Sequence, residues 1–426
     1  VKWFYYKLGG LWMPRWLYFL LVFAVLAPLL EFLHAPALLL FAIAGLGIVP
    51  LAALIGQSVE GVAEHTGERI GGLLFATFGN ATELIISILA LTKGLVDVVS
   101  ASIIGSILGN AMLVLGIASC VGCLKHGRLR FDVRPASHYA SLLVLTLAGL
   151  LIPTVAQRLA ERQHQTQIVA HGELLSDIVA VILLIGYVAS ILFSVFHVGD
   201  DGGDEGEEFD PVVGARSAAA IARLLAYRHH LIQSNVHGKT DALSKIDSAV
   251  EAIVSQEMAG QARKTQPEVV SLARSSLWLS LLLLAVATVG VAVLSEILVG
   301  AIEPMTEALH WNAAFVGLVF LPLIGGLPEY FNTISMALDK RMGMVLTASA
   351  GSSIQIAMLM TPILVLLSLF MPVRLDLVFS VLELVVLALA MFLFSEITRD
   401  GEFVWVEGLL LVLVYAIMGG AVFLFG

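Results

Sequence analysis

The chain is short of charge. Only 13% of its 426 residues are Asp, Glu, Lys or Arg, against roughly a quarter in soluble domains, which excludes an ordinary water-soluble globular protein. Cysteine is scarcer still: Cys120 and Cys123 are the only two, spaced C-x-x-C. With no second pair there is no complete zinc site and no disulfide framework, so both read as small apolar residues of a membrane helix. A nucleophile–base pair, a phosphate-binding loop and metalloprotease spacing are also missing, and no enzyme activity is expected. No apolar run carries a basic residue near its centre.

What is present is apolar. Hydrophobic residues make up 59% of the chain, and the mean hydropathy is +0.95. Apolar runs long enough to cross ~30 Å of hydrocarbon fall at 16–34, 37–58, 70–92, 97–124, 137–155, 173–198, 274–300, 312–338, 342–371, 374–395 and 404–425. Runs of this length are helices, since a barrel would show short alternating strands. The expected fold is an all-α integral membrane protein of about eleven transmembrane helices. The first run is longer than a signal core and has no small-residue cleavage site after it, so it is read as a retained helix. With the N-terminus inside, the short inner segments hold eleven Lys and Arg and the outer ones four. That asymmetry places the N-terminus in the cytoplasm and the C-terminus outside, in what reads as a prokaryotic plasma membrane.

The sequence repeats itself. A separation of 246 residues maps Glu83 onto Glu329, Gly79 onto Gly325, Ser87 onto Thr333, Gly105 onto Gly351, Ser106 onto Ser352 and Met112 onto Met358. "GNATELIISILAL…ASIIGSILGNAML" and "GGLPEYFNTISMA…TASAGSSIQIAML" therefore align without a gap. An internal repeat of this kind governs the whole architecture. The chain divides into an N-terminal helix (1–36), a first five-helix repeat (37–198), a cytoplasmic acidic and helical linker (199–273) and a second five-helix repeat (274–426). Because five is odd, the second repeat enters the membrane from the opposite side. Inverted repeats with interrupted helices are the architecture of many secondary transporters.

The linker opens "GDDGGDEGEEFD", where Asp200, Asp201, Asp204, Glu205, Glu207 and Glu208 crowd together. Two readings stand: a cation-sensing regulatory patch, or a solvated linker, which charge runs usually are. An EF-hand is excluded by the spacing.

Glu83 and Glu329 each lie inside an apolar run. A carboxylate at the bilayer centre costs about 2.5–3.5 kcal/mol even on a lenient scale, and no basic residue is there to offset it. Asn80, Glu83 and Ser87 share one helix face by spacing, as do Ser102, Ser106 and Asn110, with Ser352 and Gln355 as the counterpart. Gly79, Gly105, Gly325, Gly326, Gly351 and Pro328 surround them, and such residues loosen helices where backbone lines a cavity. All the donors are oxygen, which suits a hard divalent cation such as Ca²⁺. Two carboxylates are neutralised equally by one divalent cation or by two protons. An empty, doubly anionic slot should resist crossing, so exchange is the expected mechanism. A passive channel would instead need no counter-gradient.

"GGLLFATFGNATELIISILALTKG" with "SIIGSILGNAMLVLG", and "AGSSIQIAMLMTPILVL" further on, resemble the two signatures of the calcium/proton exchangers, the CAX family of the calcium/cation antiporter superfamily. "SEILV", "LLIPT" and "RDGEFVWVEGLLLVLVYAI" fit as well. The resemblance implies an eleven-helix fold in which Glu83 and Glu329 bind Ca²⁺ and protons alternately. It adds the carbonyls of Gly79 and Gly325 as ligands, with Ser106, Asn110, Ser352 and Gln355 as a polar shell around Asn80 and the acids. Where family members carry Asn-Ala-Ala-Glu-His, this chain has Gly326, Leu327, Pro328, Glu329 and Tyr330. The Pro-Glu pair resembles the sodium/calcium exchangers of the same superfamily, so Na⁺/Ca²⁺ exchange stands as the alternative. The expected partners are Ca²⁺, protons and the bilayer, with no nucleic acid and no cofactor beyond the transported ions. A homo-oligomer stays open.

Overall fold

The computed structural model describes residues 5–8, 11–66, 74, 77–163, 172–196 and 276–425. The acidic run from Asp200 to Glu208 and the rest of the 199–273 linker lie outside the described residues. So does much of the stretch before Gly79.

Nearly all the described residues are helical. A short hairpin, β1 (Tyr5–Leu8) and β2 (Leu11–Pro14), precedes α1 (Arg15–Phe32). Then follow α2 (Ala37–Thr66), α3 (Ala81–Thr92), α4 (Val96–His126), α5 (Val133–Arg162) and α6 (Gly172–Phe196). The second half contains α7 (Leu277–Gly300), the short α8 (Ile302–Leu309), α9 (Ala313–Leu338), α10 (Met342–Ser368), α11 (Val381–Ile397) and α12 (Trp405–Phe425). Among the described residues, eight helices are long and apolar enough to cross a membrane, and Leu17–Phe32 and Ala81–Thr92 are shorter apolar helices.

Three of the long helices contain a turn of wider, π-type winding: Gly109–Val114 in α4, Val316–Phe320 in α9 and Ile356–Met360 in α10. Such turns leave the regular ladder locally disturbed and recur at functional sites. The first and last of them occupy matching places in the two aligned sequences.

The tenth expected run, 374–395, is corrected by the structure. Its helix starts only at Val381, and residues 371–380 run irregularly. Two side chains set the start. Ser380 accepts from the Glu383 N–H at 3.2 Å while Glu383 accepts from the Ser380 N–H at 2.8 Å, a reciprocal cap that fixes a helix N-terminus. Upstream, Arg374 is held by Asp177 of α6 at 2.9 Å, which pulls the chain off a helical path.

Close backbone approach positions the central helices. A Cβ on Gly105 of α4 would collide with the Leu318 carbonyl oxygen of α9, and one on Gly317 would collide with the Val98 oxygen. Only glycine fits at these crossings, as expected where small residues let membrane helices pack tightly. Around this centre, large apolar side chains face outward, among them Ile185 (63%), Leu282 (60%) and Ile417 (70% exposed). Exposed apolar surface on this scale marks a chain whose solvent is lipid. Cys120 and Cys123 are both free thiols, and Cys123 donates to the Phe403 carbonyl at 3.2 Å. The pair packs; it makes no bridge.

Candidate functional site: an oxygen-lined carboxylate pair

The first acid stands at a helix start. Residues 79–80 form a turn, α3 begins at Ala81, and Glu83 lies in its first turn. The unpaired N–H groups there carry partial positive charge that favours a carboxylate. Glu83 is 5% exposed, and Asn80, at the cap, is 6% exposed. Among the described residues, no Lys, Arg or His forms an ion pair with Glu83.

The second acid sits on α9, which stays helical from Leu321 through Leu338. Pro328 inside that helix has no N–H, so the Ile324 carbonyl loses its regular partner. Loosening by glycine and proline therefore takes different forms on the two sides. A turn precedes Glu83, whereas Gly325 lies within continuous helix and the deprived carbonyl is that of Ile324. Gly79 is exposed and Gly325 buried.

The two helices bring the acids together. A Cβ on Gly325 would fall 2.9 Å from both Cδ and Oε1 of Glu83. The Glu83 carboxyl therefore rests on the bare backbone of α9, one helical turn before Glu329. The two acidic groups are close enough for their charges to interact.

Helix α10 supplies the other contacts. Ser352 Oγ donates to Glu329 Oε1 at 2.8 Å. Asn80 Nδ2 donates to Gln355 Oε1 at 2.8 Å, tying α3 to α10. Ser106 and Asn110 of α4 are 3% and 5% exposed, with Asn110 in the π-type turn. The decisive observation is what stays unpaired. Glu83 Oε2, Glu329 Oε2, Asn80 Oδ1 and Ser106 Oγ are buried and have no hydrogen-bond partner. Buried polar atoms are nearly always bonded. Four orphaned oxygens on neighbouring elements, two of them carboxylate, are of the hard-donor type that suits a divalent cation or protons.

Sequence reasoning passed over Tyr330. It is 7% exposed, and its hydroxyl lies 4.0 Å from where a Cβ on Gly109 would stand. The signal was its place beside Glu329, in the one signature segment where the chain departs from its family. The π-type turns were also missed, because wider winding leaves no periodicity trace over five or six residues.

This geometry defines a membrane protein with an acid pair shared between its two halves, as in ion exchangers. Residues 36–196 and 279–424 match the sodium/calcium exchanger protein family, and the chain belongs to it. It is 33% identical over 408 residues to the Ca²⁺/H⁺ antiporter of Aphanothece halophytica, covering 95% of each chain. It is 34% identical to the Ca²⁺/H⁺ antiporter of Synechocystis, covering 95% of this chain and 96% of that one. The solved structure of native YfkE superposes with a TM-score of 0.70 at 28% identity, covering 96% of this chain and 99% of that one. The H⁺/Ca²⁺ exchanger CAX shares the fold, with a TM-score of 0.57 at 15% identity. These relatives are transporters, and the chain is a multi-pass membrane protein of their kind.

Proposed function

We propose that this protein is a secondary antiporter that exchanges Ca²⁺ for protons by alternating access, with Glu83 and Glu329 holding either the cation or the protons. The observation that carries the reading is the Glu83 carboxyl lying on the Gly325 backbone within electrostatic reach of Glu329, each acid keeping one buried oxygen unpaired. Two ionised carboxylates without a counter-ion are costly in a low-dielectric slot. One Ca²⁺ or two protons restore neutrality. The empty state is the disfavoured one, so the carrier returns only when loaded, and the two fluxes are coupled. Asn80 and Ser106 add uncharged oxygens to the cation, while Ser352 orients Glu329 and Gln355 orients Asn80.

The relatives support proton coupling, since the Aphanothece halophytica and Synechocystis proteins are Ca²⁺/H⁺ antiporters. The inverted relation of the two five-helix groups, the cytoplasmic N-terminus and the outside C-terminus belong to the same proposal and rest on the repeat and the Lys/Arg asymmetry. Purified protein in sealed vesicles tests it. Ca²⁺ should enter in sodium-free buffer when a pH gradient is applied, and dissipating the gradient should stop uptake. A strict requirement for Na⁺ would replace this reading with Na⁺/Ca²⁺ exchange. Steady flux with no counter-gradient would make it a channel.

A further inference from the structure

Beside the acid pair, between α3, α6 and α10, lies a cavity of about 330 Å³. Leu84, Val188, Leu192, Leu359 and Ile363 form its apolar walls, and Asn80 and Gln355 stand at its polar end. We propose that this crevice holds one acyl chain of a membrane lipid, inserted sideways until its tip rests near the Asn80–Gln355 pair.

Three observations carry this. First, the crevice is continuous with the lipid-facing side of α6. Val188 is 50% and Leu192 45% exposed, in line with Ile182 at 60% and Ile185 at 63%. The wall residues therefore belong to the face already bathed in hydrocarbon. Second, water is a poor occupant. A buried water needs two to four polar partners. Asn80 Nδ2 and Gln355 Oε1 are bonded to each other at 2.8 Å, which leaves Asn80 Oδ1 as the buried orphaned oxygen among the described lining residues, too few partners to hold a water. An empty apolar void of this size would forfeit packing, whereas methylene groups match its lining.

Third, the aligned position in the second half carries a larger side chain. The residue 246 positions after Leu84 is Tyr330, and the residue 246 positions before Gln355 is Gly109. Tyr330 and Gly109 meet, the phenol oxygen lying 4.0 Å from a Cβ position on the glycine. A large ring faces an absent side chain there. On the crevice side a smaller Leu84 leaves room that the protein does not occupy. An acyl chain supplies the missing volume and backs the Asn80–Gln355 link, which ties α3 to α10.

The inference does not depend on which ion the carboxylates hold, and its readout is independent of transport. The protein is reconstituted into vesicles containing a phospholipid with a diazirine midway along one acyl chain, illuminated, and mapped by peptide mass spectrometry. Adducts are expected on Tyr187, which lines the cavity, as well as on outward residues such as Ile182. Filling the crevice from either wall, with Leu84→Trp or Ile363→Trp, should remove the Tyr187 adducts and leave those on Ile182. Adducts confined to outward residues, or hydroxyl-radical oxidation of Leu84 and Leu359 by bulk water, would overturn the proposal in favour of an aqueous cleft.

Discussion

Ser353 Oγ donates a hydrogen bond at 3.1 Å to the backbone carbonyl of Ile107, the residue that stands 246 positions before it. The same separation relates Glu83 to Glu329. Residues that match each other in the aligned sequences thus meet at the crossing of α4 and α10, and Glu83 lies on the α9 backbone one turn before its aligned counterpart. An internal two-fold axis passing close to these residues would produce such a contact.

The acids are the first test of that arrangement. Glu83→Gln or Glu329→Gln leaves one carboxylate, which neither balances a divalent cation nor carries two protons. Either variant should abolish pH-driven Ca²⁺ uptake in vesicles while still eluting as a folded protein. Ca²⁺ flux retained by either one would sink the charge-balance account.

Ser352 is the next. Its hydroxyl holds Glu329 Oε1, and hydrogen bonds to charged groups contribute about 1.5–3 kcal/mol. Ser352→Ala should weaken apparent Ca²⁺ affinity by about tenfold or more, read from the Ca²⁺ dependence of initial uptake. Ser352→Thr, which keeps the hydroxyl, should restore much of it.

Packing at the centre admits no side chain at Gly105. Gly105→Ala places a methyl against the Leu318 backbone, where nothing flexible can yield. Overpacking costs about 1–3 kcal/mol even when side chains can adjust. A fall of several degrees in the detergent-solubilised melting temperature is expected. Gly343→Ala is the control, because a Cβ there meets nothing within 4 Å.

Outside the helices, Asp376 gives a pH dependence of stability. Burial pushes its carboxyl above the usual range, Glu173 and Asp177 push the same way, and Arg374 opposes them. A carboxyl raised in the folded state stabilises the fold at low pH, and that contribution is lost as pH rises through the folded value. Asp376→Asn should therefore melt higher than the parent above the carboxyl titration range, with the difference closing as pH falls through that range and the parent becomes protonated too. A gap that widens on acidification would reverse the assignment.

Much of the candidate site was legible because the membrane makes polar residues conspicuous. Glu83, Asn80, Ser106, Asn110, Glu329, Ser352 and Gln355 stood out against apolar runs, and the structure brings Glu83 against the α9 backbone and links Asn80 to Gln355 and Ser352 to Glu329. The start of α11 was not legible. Run 374–395 is apolar enough to look like one helix, and the deciding groups, Asp177 and Glu383, are a distant ion-pair partner and a local cap. Nor could hydropathy foresee that Glu83 begins a helix while Glu329 sits inside one.

By itself, the sequence determined that the chain crosses a membrane many times and that an acid recurs 246 residues apart in two apolar runs, from which related halves are expected. Hydrophobicity and charge are properties of residues, and a bilayer reads them locally. Only the tertiary structure decided which oxygens stay unpaired, which backbones touch at Gly105 and Gly317, and that Leu84 lines a crevice. Those outcomes depend on how helices far apart in the chain meet, and helix-to-helix contact is set by shape at the crossing, which no single run of residues contains.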